Sequence, residues 1–353
     1  MKKVTLQEIA DEIGVSRITI SKVINNRPGV SERTRKRIVN ALVEHNYKNI
    51  SRYADNVSQQ GAIESKQTIG VVSISPDFST FWLEIIQAIS GELNFYSQDV
   101  VFFFLARNRQ GVYELPQGVD SSRLTGLVVI NVYDDALIDK INNTKIPTVF
   151  FDLPPSVIEA GVPGDVIYIE GYQSFKRITE SLLDDGFKSL AYIGDISYAG
   201  SMYDRWKGFT AAHKDKGIKI NEKLCFTSSP EYLFYNQDEV DQLIAGVRIL
   251  PDAFVCANDD IAKRVYIALK KQGRLNDSRI VLTGFDNLKD QELEKYLYAT
   301  VEVDTKAIGL RLVRQILHRV KYADEAVEQI FLSPKVLMMH TDKRGADVLE
   351  AVK

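Results

Sequence analysis

The chain has 353 residues, of which 45% are hydrophobic and 26% charged, and its formal net charge is −3. This balance is typical of a soluble globular protein with a sizeable core and two or three domains. The start of the chain lacks the apolar segment of a signal peptide, and no run of about 18 apolar residues could cross a membrane. These features argue against a membrane protein, and we expect a cytoplasmic one.

Charge is distributed unevenly along the chain. Residues 1–50 contain ten Lys or Arg and five Asp or Glu, a local net charge of +5, so the remainder carries −8. A basic head on an acidic body is typical of a small module that faces phosphates and a larger body that does not. Cys225 and Cys256 fit no metal or disulfide spacing, so we expect two buried free thiols, no metal and no cofactor.

The sequence predicts a short helix near the start of the head. Thr5-Leu6-Gln7-Glu8 has the pattern of a capping box, in which the Thr5 side chain accepts the Glu8 backbone N–H and the Glu8 side chain reaches back. Apolar residues follow at helical spacing: Leu6, Ile9, Ala10 and Ile13. Gly14 then stands where a left-handed residue is needed to end the helix.

Two further helices are predicted in the head. Ser16 can cap a second helix, Arg17 to Ile24, with Ile20 and Val23 or Ile24 facing inward. The breaker NNRPG at 25–29 ends this helix. Ser31 can cap a third helix, whose predicted core face consists of Ile38, Ala41 and Leu42. A helix, a short glycine turn, a second helix and a support helix predict a small all-α helix-turn-helix DNA reader.

The exposed start of the second helix carries side chains suited to reading bases. Arg17 can contact guanine O6 and N7, Ile18 can pack on a thymine methyl, and Lys22 lies about one turn further on. Polar side chains that could reach phosphates are Ser16, Ser21, Asn25, Thr34 and Arg35. The alternative interpretation is a three-helix bundle whose basic face is merely solvated.

The head also has a recognisable sequence as a whole. Residues 4–48 read VTLQEIADEIGVSRITISKVINNRPGVSERTRKRIVNALVEHNYK. From Val4 to Tyr47 this stretch resembles, without a gap, the head of LacI/GalR-type bacterial transcription regulators. The resemblance implies a DNA-binding domain over 1–48 in which Arg17, Ile18 and Lys22 read bases.

The segment 49–67 is predicted to be a linker. It is polar, with Gln, Ser and Gly in its second half, a composition typical of flexible linkers. In the LacI/GalR family this position holds a hinge helix that orders on operator DNA and inserts a leucine into the minor groove. Here Val57 would stand in for the leucine, and the usual proline is absent. Two interpretations remain open: a DNA-inserting hinge helix and a plain tether.

In the body, short apolar runs alternate with helical patterns. Runs typical of buried strands lie at 68–75, 100–106, 124–130, 146–152, 166–170, 189–193, 253–257 and 280–284. Helical patterns lie at 81–97, 173–185, 204–216 and 260–272, with another helix between 130 and 146. Repeated β-α-β units predict doubly wound parallel sheets, and two such series predict two lobes whose strands end at a shared cleft.

The sequence contains no recognisable catalytic motif. It has no Gly-rich nucleotide loop, no HExxH and no GxSxG. The four histidines are scattered and are interpreted as surface or internally satisfied residues: His45, His213, His318 and His340. We therefore expect no catalytic residue and no enzyme activity.

The body resembles the periplasmic-binding-protein-like core of the same family at several segments. These are SPDFSTFW at 75–82, IPTVFFD at 146–152, DRWKGF at 204–209, the stretch 252–273 and VLTGFDN at 281–287. The resemblance implies an effector-binding set: Phe81, Trp82, Asp152, Arg205, Asn258, Asp259 and Asp286. Carboxylates, an amide and a bidentate arginine suit a polyhydroxylated ligand. For each polar residue the alternative is a helix cap or a turn, and for the Phe81-Trp82 pair it is the core.

Boundaries of the lobes also follow from the resemblance. It implies a body over 68–345, with a first lobe at about 68–165 and 298–328 and a second at about 166–297 and 329–345. The chain would then cross between lobes near 164–168, 295–298 and 328–333. The sequence EGYQS at 170–174 departs from the Asp-Asn-x-x-Gly that the family usually has at the start of its second lobe.

Taken together, the residues and the resemblance imply a sequence-specific DNA-binding transcription regulator. It is expected to repress as a homodimer on near-palindromic operator DNA. A small-molecule effector, expected to be a sugar or sugar derivative, would bind between the lobes and modulate operator binding. The alternative is a cytoplasmic sugar-binding protein without regulatory DNA binding, which the basic head disfavours.

Overall fold

The computed structural model describes residues 5–24, 29–31, 34–35, 37–38, 41–42, 45, 67–74, 80–119, 123–229, 234–276 and 280–339. The chain forms two compact units, Met1–Lys66 and Gln67–Lys353. Several predictions concern residues outside the described ranges: Asn25, Val57 with the rest of the linker up to residue 66, and His340.

The first helix of the head, α1 (Leu6–Glu12), begins at the predicted capping box. Thr5 Oγ1 accepts the Glu8 N–H at 3.3 Å, and Glu8 Oε2 accepts the Thr5 N–H at 2.7 Å. Gly14 has φ +66°, and the N–H of Val15 after it donates to the Ala10 carbonyl at 3.0 Å. This left-handed glycine ends α1 as predicted, because it turns the chain back onto the last carbonyls of the helix.

The second helix, α2 (Arg17–Ile24), begins at Ser16, whose Oγ accepts the Thr19 N–H at 3.0 Å. Helical backbone recurs at 34–35, 37–38 and 41–42, after Ser31, whose Oγ accepts the Thr34 N–H at 3.3 Å. One apolar core joins the three helical segments: Ile9, Ala10, Ile20, Val23, Ile38, Ala41 and Leu42. These features confirm the predicted helix-turn-helix fold of the head.

The second unit alternates strands and helices along the chain. Its strands are β1 (Thr68–Ile74), β2 (Asp99–Leu105), β3 (Gly126–Ile130), β4 (Thr148–Phe151), β5 (Asp165–Ile169), β6 (Leu190–Ile193), β7 (Cys225–Phe226), β8 (Ala253–Cys256), β9 (Val281–Thr283), β10 (Leu297–Glu302), β11 (Gln329–Leu332) and β12 (Lys335–Met338). Its α-helices are α3 (Thr80–Phe95), α4 (Asp135–Asn143), α5 (Pro155–Ala160), α6 (Tyr172–Asp184), α7 (Gly200–Asp215), α8 (Gln237–Gly246), α9 (Asp259–Lys271), α10 (Gln291–Glu294) and α11 (Thr305–Lys321).

Among the described residues these strands form two 6-stranded sheets, one in each lobe. The first has the order β11-β5-β4-β3-β1-β2, and the second has the order β12-β10-β9-β8-β6-β7. Every pairing is parallel except that of β10 with β12. Strands β3, β4 and β5 are buried along their whole length, which explains why they read as continuous apolar runs rather than alternating patterns. The doubly wound α/β architecture is therefore confirmed.

The predicted lobe boundaries need correction at all three crossings. Strand β5, assigned to the second lobe from the sequence, pairs with β4 in the first sheet. Strand β10, assigned to the first lobe, pairs with β9 in the second sheet. Strand β11, assigned to the second lobe, pairs with β5 in the first sheet. The crossings therefore follow Ile169, Glu302 and Leu332. The first two are later than predicted, and the third lies within the predicted range 328–333. An apolar run shows that a strand is buried but does not show which sheet it joins, because pairing depends on residues distant in sequence.

The two thiols differ in burial. Cys256 is buried, whereas Cys225 is half-buried in the two-residue edge strand β7, so the expectation of two buried thiols is wrong for Cys225. An edge strand has a neighbour on one side only, which leaves part of its surface accessible. Among the described residues we find no helix that combines the length and the apolarity required to traverse a bilayer.

Candidate functional sites

One face of α2 points away from the core of the head and carries the predicted base-reading residues. Ile20 is fully buried on the inner face, whereas Arg17 and Lys22 are exposed and Ile18 is 70% exposed. The exposed Ile18 side chain is accessible for an apolar contact with another molecule. Together these three side chains present a hydrogen-bond donor, an apolar group and a cation along about one turn of helix.

Four of the five predicted phosphate-contacting residues lie in the described ranges: Ser16, Ser21, Thr34 and Arg35. The Ser16 hydroxyl lies 2.8 Å from Thr19 Oγ1 at the start of α2. The Thr34 hydroxyl lies 2.8 Å from Ser31 Oγ at the start of the third helical segment. Both hydroxyls are therefore close to helix N-termini, where exposed backbone N–H groups favour anions such as phosphate.

In the second unit, the predicted effector-binding polar residues follow the carboxyl ends of parallel strands. Asp152 follows β4 of the first sheet, Asn258 and Asp259 follow β8 of the second, and Asp286 follows β9. Ligands of doubly wound proteins bind at this edge of the sheet, because the loops there converge on one crevice. Arg205 instead projects from α7, about one turn after its beginning.

Arg205 is a buried cation with specific contacts on several sides. Its side chain is only 5% exposed, and Nη1 donates to the Ala257 carbonyl at 2.8 Å. The guanidinium carbon lies 3.7 Å from the centre of the Phe285 ring, a cation–π arrangement that holds the plane of the group. The Nε atom is buried and has no hydrogen-bond partner among the described residues. The Nε atoms of Arg264 and Arg314 also have no hydrogen-bond partner there, but those two residues are only half-buried, whereas Arg205 is buried. An unpaired donor on a buried guanidinium favours a ligand at this place.

The segment that departs from the family pattern makes room for Arg205. A Cβ atom at Gly171 would lie 3.0 Å from Arg205 Cγ and 3.4 Å from the Ser201 carbonyl. Glu170 takes over the capping of α6, since its carboxylate accepts the backbone N–H of Gln173 and both the N–H and the hydroxyl of Ser174. In the sequence EGYQS, the glutamate two residues before α6 therefore caps this helix.

Asp286 is half-buried and is held in a strained conformation. Its φ is +100°, and its N–H donates to the Val301 carbonyl at 2.9 Å. Strain of this kind in a residue with a side chain is common at binding sites. Burial raises the pKa of Asp286 to about 6, although the positive charge of Arg205 opposes this shift. The carboxylate accepts no hydrogen bond from the described part of the chain.

Asn258 and Asp259 have structural partners. The Asn258 carbonyl oxygen accepts the Ile261 N–H at 2.9 Å and caps α9, while its amide nitrogen donates to Tyr235 Oη at 3.0 Å. Asp259 is fully buried, and its oxygens accept the Leu288 N–H at 2.7 Å and the Thr300 hydroxyl at 2.9 Å. Asp259 therefore anchors the loop that carries Asp286, which is the capping or turn alternative that the sequence left open.

Phe81 and Trp82 begin an aromatic wall in the first lobe. Their rings meet edge to face at 5.1 Å, and Trp82 meets Phe151 at 5.8 Å, next to Asp152 in sequence. Both rings are half-buried, so neither is a fully enclosed core residue. The placement leaves ring surface that could pack on the apolar face of a ligand.

Three tyrosines near these residues were not predicted. The rings of Tyr133, after β3, and Tyr198, after β6, lie 4.4 Å apart although they belong to different lobes. Tyr235 lies 6.5 Å from Tyr198. Burial and the nearby charge of Asp152 raise the pKa of Tyr133 well above its ordinary value, while Arg205 acts in the opposite direction. Their position after strand ends is the signal that could have identified Tyr133 and Tyr198.

Nothing in the described ranges resembles a catalytic or metal centre. No group of three or more His, Cys, Asp or Glu there could hold a metal ion. The described histidines have local partners: His45 lies 2.7 Å from a Glu12 oxygen, His213 bonds the Phe209 carbonyl at 2.9 Å, and His318 lies 3.6 Å from Glu325. Their interpretation as surface or internally satisfied residues is confirmed for His45 and His213, whereas Nδ1 of His318 is buried without a hydrogen-bond partner among the described residues.

Comparisons with known proteins agree with this architecture. Residues 5–49 match the family described as "Bacterial regulatory proteins, lacI family", and residues 66–341 match "Periplasmic binding proteins and sugar binding domain of LacI family". The HTH-type transcriptional repressor PurR of Pasteurella multocida (strain Pm70) is 25% identical over 346 residues, covering 96% of this chain and 98% of its own length.

Two solved structures share the fold. The lac repressor dimer bound to operator and the anti-inducer ONPF superposes with a TM-score of 0.62 at 22% identity, covering 95% of this chain and 98% of that one. The complex of the transcriptional regulator CelR with cellobiose gives a TM-score of 0.61 at 18% identity, again covering 95% and 98%. The chain belongs to the LacI family of bacterial regulatory proteins, which are DNA-binding transcription regulators with an effector-binding core and not enzymes.

Proposed function

We propose that this regulator is a repressor that binds a near-palindromic operator as a homodimer and responds to a carbohydrate held between its two lobes. Two-fold symmetry of a dimer pairs two helix-turn-helix heads with two half-sites, which supports the palindrome. The similar lac repressor structure is a dimer bound to operator, and the similar CelR structure holds cellobiose.

The observation that carries the effector proposal is the unpaired Nε of Arg205. A donor on a buried cation normally has a partner, because an unmade hydrogen bond to a charged group is costly. Asp286 offers a complementary acceptor, since its half-buried carboxylate receives no hydrogen bond from the described chain. A hydroxylated ring can accept from an arginine and donate to a carboxylate through neighbouring hydroxyls.

Most of the predicted residues then have a proposed role. Arg205 and Asp286 bind ligand hydroxyls directly, and the rings of Phe81 and Trp82 pack against the C–H face of a sugar. Asn258 and Asp259 act through the structure, since the first caps α9 beside Tyr235 and the second holds the loop of Asp286. In the head, Arg17, Ile18 and Lys22 read bases, and Ser16, Ser21, Thr34 and Arg35 contact phosphates.

Selection of binding sites from random duplex DNA by the full-length protein tests the DNA half of the proposal. The enriched sequences should contain two inverted half-sites, and their affinity should fall steeply as salt is raised, because phosphate contacts release counterions. A single unrepeated half-site would contradict the homodimer. Repression is tested by placing the selected operator before a reporter gene, where activation by the protein would contradict it.

A thermal-shift screen tests the effector half. Sugars, sugar phosphates and heterocyclic bases are compared, since a ligand present at about 100 times its Kd stabilises the folded protein by about 2.7 kcal/mol. A sugar should raise the melting temperature, and Arg205→Lys should abolish that shift because a lysine lacks the planar guanidinium that donates to two neighbouring acceptors in a fixed geometry. Arg314→Lys, which changes a half-buried pair with Glu92 at 3.5 Å, is the matched control. A shift with the bases alone would contradict a carbohydrate effector.

A further inference from the structure

Asp152 of the first lobe is docked on the first turn of a helix of the second lobe. The backbone N–H of Ser201, the second residue of α7, lies 3.3 Å from each Asp152 carboxylate oxygen. Beside it, the N–H of Gly200 donates to the Leu153 carbonyl at 2.7 Å. Two residues after β4 therefore bind two N–H groups that have no acceptor within their own helix.

The contact depends on a close approach of the two lobes. A Cβ atom at Gly200 would lie 2.9 Å from the Leu153 carbonyl oxygen and 3.1 Å from Asp152 Oδ1. It would also lie 2.6 Å from Ile158 Cδ1 of α5 in the first lobe. Only a residue without a side chain allows the start of α7 to come this near to the end of β4.

The conformation of Asp152 is specialised for the same contact. Its φ is +61°, a region that residues with a side chain adopt rarely but that Asp tolerates. Oδ1 also accepts the Leu153 N–H at 2.8 Å, which fixes the direction of the carboxylate. The helix dipole of α7 favours a negative charge at this point, and Asp152 supplies it from the opposite lobe.

Asp152 and Asp286 differ in a way that separates their roles. The Asp152 carboxylate is 5% exposed and both of its oxygens have protein donors, whereas the Asp286 carboxylate accepts no hydrogen bond from the described chain. The described donors already orient and partly occupy the Asp152 carboxylate, which leaves it less accessible to a ligand than that of Asp286. Arg205 and Asp286 therefore remain the more available partners for a ligand.

We propose that Asp152 is an interlobe latch that holds the two lobes together, rather than an effector ligand. The carboxylate links the end of β4 to the start of α7, and loss of this link allows the lobes to separate. Arg205 lies one helical turn after Ser201, so the latch also holds the guanidinium at its place in the cleft. The proposal does not depend on the chemical class of the effector.

Hydrogen exchange on the unmodified, full-length protein is the first test, without DNA or added ligand. First-turn N–H groups of a helix normally exchange fast, because they have no intrahelical acceptor. The latch predicts that the Ser201 amide exchanges on the order of tenfold or more slowly than the exposed first-turn amide of Gln291 in α10. Equally fast exchange at Ser201 would overturn the proposal, whether or not DNA or effector binding is ever demonstrated.

Distance measurements across the cleft are the second test. Spin labels are placed at exposed positions of the two lobes through Asp139→Cys in α4 and Lys219→Cys after α7, with the half-buried Cys225 replaced by Ser. Asp152→Ala should lengthen or broaden the ligand-free distance distribution, and Asp152→Asn, which keeps an acceptor but loses the charge, should do so less.

Asp134→Ala is the matched control for these variants. Asp134 accepts the Leu137 N–H at 2.8 Å at the start of α4, so it performs the same kind of capping within a single lobe. Its loss should lower stability without changing the distance between the lobes. A folded Asp152→Ala protein with the distance distribution of the unmodified sequence would show that Asp152 is not a latch.

Discussion

The guanidinium of Arg319 binds the fully buried carboxylate of Asp165 through two hydrogen bonds, from Nη2 to Oδ1 at 2.6 Å and from Nε to Oδ2 at 3.0 Å. Arg319 also donates to the carbonyls of Glu325 at 2.6 Å and Ala326 at 2.7 Å. The pair therefore joins the first residue of β5 to α11 and to the loop leading into β11. This network explains how β11 comes to lie at the edge of the first sheet.

Removal of Arg319 should destabilise the second unit strongly. Arg319→Ala leaves the Asp165 charge buried without its main partner, an effect typically worth about 3–5 kcal/mol. Urea unfolding followed by circular dichroism measures the loss. Lys295→Ala, which breaks an exposed pair with Glu292, should cost less than about 1 kcal/mol. Equal losses in the free energy of unfolding would show that the buried pair does not stabilise the protein more than the other pair.

Substitution by alanine should change the stability of the protein in opposite directions at two helical glycines. A Cβ at Gly208 in α7 would lie 2.3 Å from the Tyr172 carbonyl and 2.9 Å from the Lys176 nitrogen, both backbone atoms of α6. At Gly91 in α3 nothing lies within 4 Å. Gly208→Ala should destabilise by about 1–3 kcal/mol through overpacking, whereas Gly91→Ala should stabilise by about 0.5–1 kcal/mol. Chemical unfolding of both variants tests the pair, and a loss at Gly91 would contradict this account of helix packing.

Stability should depend on pH through Asp259. Burial and the nearby charge of Asp286 raise the pKa of Asp259 to about 7 in the folded protein, against an ordinary value of 3.8. Between these values the folded state retains a proton that the unfolded state releases, so the contribution of Asp259 to stability decreases as the pH rises from 4 to 7.

Comparison with Asp259→Asn isolates this contribution, since the amide does not titrate. The free energy of unfolding of the unmodified protein minus that of the variant should fall across pH 4–7 and level off above that window. Urea unfolding at several pH values provides both curves. A difference that stays constant with pH would mean that Asp259 titrates near its ordinary pKa.

In the head, loss of a base-reading residue and loss of a phosphate-contacting residue should affect DNA binding differently. Arg17→Ala is expected to cost roughly 1–3 kcal/mol on the preferred operator and to relax the preference at one base pair. Arg35→Ala should weaken binding to all DNA alike and reduce the salt dependence. Binding to the selected operator and to single-base variants distinguishes the two effects. If both variants weakened binding uniformly, the assignment of Arg17 to base reading would be wrong.

Much of the local structure follows from short sequence patterns. The capping pair of Thr5 and Glu8, the left-handed Gly14 and the cap at Ser16 are decided by hydrogen bonds and backbone sterics over three or four residues. The alternation of buried strands and helices is equally local, because it reflects periodicity in the chain. These signals predicted the helix-turn-helix fold and the doubly wound class of the body.

Short sequence patterns could not predict which sheet each strand joins. Strands β5, β10 and β11 were placed in the wrong lobes, although the apolar run of β5 was correctly predicted as a strand. Each joins partners that are close in space and not distinguished by composition, since any buried parallel strand shows the same apolar run. The crossing points follow from that pairing.

For the candidate sites, too, the sequence predicted the positions of residues but not their partners. Residue types and family resemblance pointed to the positions of Arg17, Arg205 and Asp286. The partners of those side chains emerge from contacts between distant segments, as with Phe285 under the guanidinium of Arg205 and Ser201 against Asp152. A carboxylate after a strand can bind a ligand, cap a helix or join two lobes. Packing selects among these roles, because it places donors within 3 Å or so of some carboxylates and not of others.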